Sequence, residues 1–92
     1  MTTKEQITYE RAKIEFCRTL KGVERNCWLG DFLLAIDEFR NRNKGFSLAD
    51  FLLVSNSRGI PENQTLRLWR HFVIKMKEAG QLEQDKLTFR LV

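Results

Sequence analysis

Ninety-two residues leave room for one small core and no second domain. Hydrophobic residues make up 42% of the chain, with seven Phe, two Trp and a Tyr, which excludes a disordered polypeptide and assigns much of the core to aromatic rings. The net charge of +4 and a pI near 9.4 bring nucleic acid into consideration.

Residues 4–20 read as a first helix. Tyr9, Ala12, Phe16, Cys17 and Leu20 recur at three- and four-residue steps and share one face, while Lys4, Glu10, Arg11, Glu15 and Arg18 take much of the rest. Gly22 lies beyond its end and suits a C-terminal cap. A second helix spans 26–43, with Trp28, Phe32, Ala35, Ile36 and Phe39 as its apolar stripe and Leu29 and Leu33 widening it. Asp31, Asp37, Glu38, Arg40 and Asn41 face water, and Gly45 closes the helix.

Ser47-Leu48-Ala49-Asp50 fits a capping box with Asp in place of Glu, opening a short helix over 47–57. Its apolar residues are Leu48, Phe51, Leu52 and Val54. Ser57-Arg58-Gly59-Ile60 is a tight turn in which Gly59 is free to take a positive φ. Pro61 suits the first position of a helix over 61–79, Glu62 complements its dipole, and Gly80 stops it. The period then changes from helix to strand. Leu87, Phe89 and Leu91 alternate with Thr88 and Arg90, and Gln81-Leu82-Glu83 is the antiparallel partner through Gln84-Asp85-Lys86. A lone hairpin is marginal, so Leu87, Phe89 and Leu91 must cover the helices.

The chain's basic excess is concentrated. Over 61–77, Arg67, Arg70, Lys75 and Lys77 stand against Glu62 alone. On a helical wheel, Leu66, Trp69, Phe72, Val73 and Met76 form the apolar stripe of this helix. Asn63, Gln64, Arg67, Arg70, His71, Ile74, Lys75 and Glu78 cover the remaining arc.

Two helices joined by a short glycine-containing turn and followed at once by a hairpin resemble the winged helix-turn-helix superfamily. The resemblance covers residues 46–92. It rests on Ser47-Leu48-Ala49-Asp50-Phe51-Leu52, on Arg58-Gly59-Ile60-Pro61, and on Lys77-Glu78-Ala79-Gly80-Gln81-Leu82-Glu83 leading into Leu87-Thr88-Phe89-Arg90-Leu91. A short wing and an additional N-terminal helix depart from the family pattern. The fold so implied is mainly α with a small C-terminal β-hairpin. The resemblance also implies that the 61–79 helix enters the major groove of double-stranded DNA. Asn63, Gln64, Arg67 and His71 would then reach base edges, while Arg70 and Lys75 lie on the same outward face and Lys75 and Lys77 neutralise phosphate. Arg58 is either a phosphate contact or a solvated side chain, and the same choice holds for Lys86 and Arg90 on the wing. Trp69 reads as core rather than as a stacking platform, and His71 as a surface residue rather than a catalytic base.

Enzyme classes find no support: a phosphate-binding glycine loop, G-x-S-x-G and H-E-x-x-H are all missing. Cys17 and Cys27 have no metal-ligand spacing and His71 is the single histidine, so neither a metal nor another cofactor is expected. Both cysteines lie among apolar neighbours and read as reduced core thiols. Met1-Thr2-Thr3-Lys4-Glu5 lacks a signal-peptide core, and no apolar run approaches the ~20 residues that span a bilayer. The expectation is a cytoplasmic DNA-binding regulator or accessory factor, monomeric or homodimeric, of bacterial or phage size. The alternative is an adaptor or inhibitor of the same fold whose exposed helical surface binds a protein partner. Fold alone does not choose between them.

Overall fold

The computed structural model describes residues 4–20 and 27–92, with the side chains of the first helix described from Thr8 onward. Its elements, in chain order, are α1 (Lys4–Thr19), α2 (Leu29–Arg42), β1 (Phe46–Ser47), α3 (Leu48–Ser57), α4 (Glu62–Glu78), β2 (Leu82–Asp85) and β3 (Thr88–Leu91). The molecule is mainly helical, with a small antiparallel sheet of order β1-β3-β2. The cap expected at Gly22 and the helix start expected at Asn26 lie outside the described residues.

The first two helices contribute the faces that their periodicity marks. Tyr9, Ala12, Phe16 and Leu20 of the first segment are buried, as are Phe32, Ala35, Ile36 and Phe39 of α2. Trp28, Leu29, Leu33 and Cys17 pack on the edge of this core. Cys27 is exposed, which corrects the expectation of two core thiols; it stands just before α2, outside the helical stripe. Asp37, expected to face water, accepts a hydrogen bond of 2.6 Å from Tyr9 Oη and one of 2.9 Å from Lys13 Nζ. It therefore ties α1 to α2. Burial, then the hydrogen bond to this carboxylate, hold the Tyr9 phenol well above the usual tyrosine range. The Arg40 guanidinium lies 4.1 Å from the centre of the Tyr9 ring and completes the contact.

The rings form one connected cluster. Phe16 meets Phe72 edge-on at 5.3 Å, Phe72 meets Phe32 at 5.7 Å, and Phe32 meets Phe51 at 5.4 Å. Phe51 continues to Trp69 at 4.8 Å, and Trp69 reaches Phe89 of the sheet at 5.2 Å. Edge-to-face geometry of this kind suits the ring quadrupoles and fixes how α1, α2, α3, α4 and β3 sit against one another.

The helix–turn–helix segment is set by its caps. Ser47 Oγ accepts from the Asp50 amide and Asp50 accepts from the Ser47 amide, closing the expected capping box. At the far end of α3 the Gly59 amide donates to Asn56 and the Ile60 amide to Ser55. This is a Schellman motif, with Gly59 at φ +87° in the left-handed region. The same motif ends α4, where Gly80 at φ +70° donates to Lys77 and Gln81 donates to Met76. Pro61 is the N-cap, one residue outside its expected place in the first turn, because its ψ of 146° is extended.

Gly45 does not close α2. Asn43, at φ 52°, is the left-handed cap. A Cβ at Gly45 would stand 2.7 Å from Thr88 Cγ2, so the glycine lets the chain pass close to β3. That approach creates β1, a two-residue strand too short to leave a periodic signal, whose Phe46 pairs with Phe89.

The hairpin also differs from expectation in extent. β2 runs through Asp85, and the turn is Lys86-Leu87, with Lys86 at φ 58° as mirror-image hairpin turns require. Leu82, Phe89 and Leu91 cover the helices, whereas Leu87 is 81% exposed at the tip. Alternation placed Leu87 on the core side, but turn residues leave the pleat, so the pattern does not extend to it.

Candidate nucleic-acid interface

Helix α4 crosses the molecule with one arc buried and the opposite arc open. The buried arc is Thr65, Leu68, Trp69, Phe72 and Met76. Leu66, expected in the stripe, is 36% exposed, and Val73 is half-buried at the edge. Leu68 and Thr65 replace them because α4 packs simultaneously on α1, α2, α3 and β2, which turns the buried arc toward those elements. Signal for this was present: on the wheel Phe72 falls between Leu68 and Thr65, and Thr65 is opposite Ile74.

Of the residues expected to meet nucleic acid, Asn63, Arg67 and Arg70 are exposed on the open arc, with Gln64, His71 and Lys75 half-buried along one flank. Neither Arg67 nor Arg70 has a carboxylate partner among the described residues, so both guanidinium groups are available for a bidentate contact. Lys75 is 3.4 Å from Glu78, which offsets part of its charge. Lys77 Nζ donates to Gln84 Oε1 and links the end of α4 to β2.

The remaining three lie elsewhere. Arg58 turns toward α2, 3.9 Å from Glu38, and does not join the α4 face. Arg90 stands on the outer face of the sheet, opposite Glu83 in register, while the inner face carries Leu82, Gln84, Phe89 and Leu91. Lys86 occupies the hairpin turn, where its carbonyl accepts 2.8 Å from Gln84 Nε2. With Glu83 and Asp85 beside Lys86 and Arg90, the hairpin has no net positive charge.

The periodicity gave no notice of a groove on the hairpin side of α4. Leu66, Val73 and Ile74 wall it, Trp69 and Phe89 form its floor, and its volume is about 420 Å³. Ile74 is 53% exposed there. The open arc is therefore basic and polar along one flank and apolar along the other. Among the described residues no helix is long and apolar enough to cross a membrane. No protein-family profile matches the chain, and neither a curated protein nor a solved structure matches it.

Proposed function

We propose that this chain is a single winged helix-turn-helix domain that binds double-stranded DNA through α4, acting as a small regulator or accessory factor. The observation that carries the reading is the outward placement of Asn63, Arg67 and Arg70 on a helix that follows a Schellman turn and precedes a paired hairpin. The order α3, turn, α4, β2, β3, with β1 paired to β3, supports the winged arrangement. Arg67 and Arg70 suit guanine, and Asn63 suits adenine. Lys75 and Lys77 add to phosphate attraction. Arg58, near Glu38, and Arg90, on the outer face of the sheet, lie apart from the α4 face and are secondary in this reading.

The test is a titration of the protein against selected and random duplexes over a salt series. Arg67→Ala should lose about 1–3 kcal/mol on a preferred site and much less on random sequence. Lys75→Ala should weaken all sequences alike and lower the slope of log K against log salt by about one. Folded wild-type protein that binds no duplex at low salt would sink the proposal.

A second reading, an adaptor or inhibitor that binds a protein partner, is favoured by the apolar flank of α4. Exposed Leu66 and Ile74 beside a groove suit a protein surface better than a phosphate backbone.

A further inference from the structure

On the open arc of α4, Ile74 is out of keeping with its neighbours. It is 53% exposed and stands opposite the buried Thr65, at the middle of the arc. At 3.6 residues per turn it falls in one row with Asn63, Arg67 and Arg70, the four lying within about 60° of one another. Lys77 lies about 60° to one side of Ile74 and Lys75 about 100° to the other. Two cations thus bracket an apolar side chain. Glu78 offsets part of the Lys75 charge, whereas the partner of Lys77 is the neutral Gln84. Leu53 of α3 is more exposed, at 71%, but its helix carries no Lys or Arg, and a lone exposed leucine is ordinary.

We infer that Ile74 reads the C5-methyl group of a thymine, which makes it a specificity-determining residue of α4. The inference rests on α4 entering the major groove, as proposed above. A phosphate backbone offers nothing to isoleucine, whereas the thymine methyl is the apolar group that base edges present in that groove. With the row aimed at the bases, Lys75 and Lys77 fall toward the two phosphate strands that border the groove. From Asn63 to Ile74 the row rises about 16 Å, the length of about five base pairs. The thymine therefore lies at the opposite end of the site from the adenine suited to Asn63, with the guanines suited to Arg67 and Arg70 between them.

The test uses the duplex that wild type enriches from a pool with a random core. Uracil, which lacks only the C5-methyl, replaces each of its thymines in turn. One position should lose roughly fourfold in affinity, the worth of one buried methyl group, with the salt slope unchanged. Ile74→Ser should bind the thymine and uracil duplexes equally, and Ile74→Val should retain the difference; serine is used because alanine still offers a methyl contact. Leu66→Ala, which alters an apolar neighbour outside the row, should also retain it. Ile74 is exposed, so thermal melts of its variants should match wild type. An enriched duplex with no uracil-sensitive position overturns the inference and leaves DNA binding standing. So does a sensitivity that persists in Ile74→Ser, or duplex binding without any enrichment. Folded protein that binds no duplex at low salt overturns the reading of α4 itself, and this inference with it.

Discussion

The two faces of α4 carry opposite burdens. On the inner face, Leu68, Phe72 and Met76 are fully buried, and Phe72 alone touches Phe16, Phe32 and Trp69. On the outer face, Arg67, Arg70 and Ile74 are exposed and make few contacts with the rest of the chain. Seventeen residues thus serve two purposes at once. The inner face determines whether α1, α2, α3 and the sheet assemble, and the outer face determines what the assembly meets. Stability and binding should consequently respond to different substitutions in the same helix.

The largest effect expected is on the inner face. Phe72→Ala should cost about 3–5 kcal/mol, since the cavity it leaves lies where rings from α1 and α2 meet those of α4. Small domains have about 5–15 kcal/mol in total, so chemical denaturation should show a protein at the edge of unfolding. A melt like that of wild type would mean that the ring cluster does not hold α4 in place.

A smaller effect is expected away from α4, at the contact between α1 and α2. Tyr9→Phe removes the hydrogen bond to Asp37 but leaves Lys13 on that carboxylate, and should cost about 1 kcal/mol. For a chain of this size that is about 4–8 °C in Tm. The pH dependence has a defined sign. Because the phenol titrates higher when folded than its unfolded value near 10, its contribution is complete below about pH 10 and declines above it. Wild type should therefore lose its advantage over Tyr9→Phe in strongly alkaline solution. Tyr9 is the single tyrosine, so phenolate absorbance reports it directly. A phenolate signal that rises near pH 10 while the protein is still folded would contradict the buried bond.

The smallest effect belongs to the outer face. Arg67→Ala should change stability by no more than about 0.5 kcal/mol, the usual range for an exposed residue without partners. If it lowers Tm as much as Tyr9→Phe does, the division between the two faces fails and Arg67 has a structural role.

Much of the helical frame was legible in the sequence because its signals are local. Tyr9, Ala12 and Phe16 declare a face by spacing; Ser47 and Asp50 declare a helix start; Gly59 and Gly80 declare stops, since a positive φ is inexpensive only for glycine. Such signals need no knowledge of distant partners. The candidate site was legible in part. Exposure of Asn63, Arg67 and Arg70 followed from the wheel, whereas the diversion of Arg58 to Glu38 depended on a residue twenty positions earlier.

By itself, then, the sequence determined the four helices described, the caps at Ser47, Gly59 and Gly80 and the open arc of α4, because hydrophobic period and backbone preference act over a few residues. Tertiary structure alone decided the rest. β1 exists through the pairing of Phe46 with Phe89 across the fold, next to the close approach of Gly45 to Thr88. Leu66 lost its expected burial, and Leu68 gained it, because α1, α2, α3 and β2 compete for the inner arc of one helix. The groove beside Ile74 and the outward Leu87 arise where a hairpin meets that helix, and such a meeting is a property of packing that no spacing in the chain records.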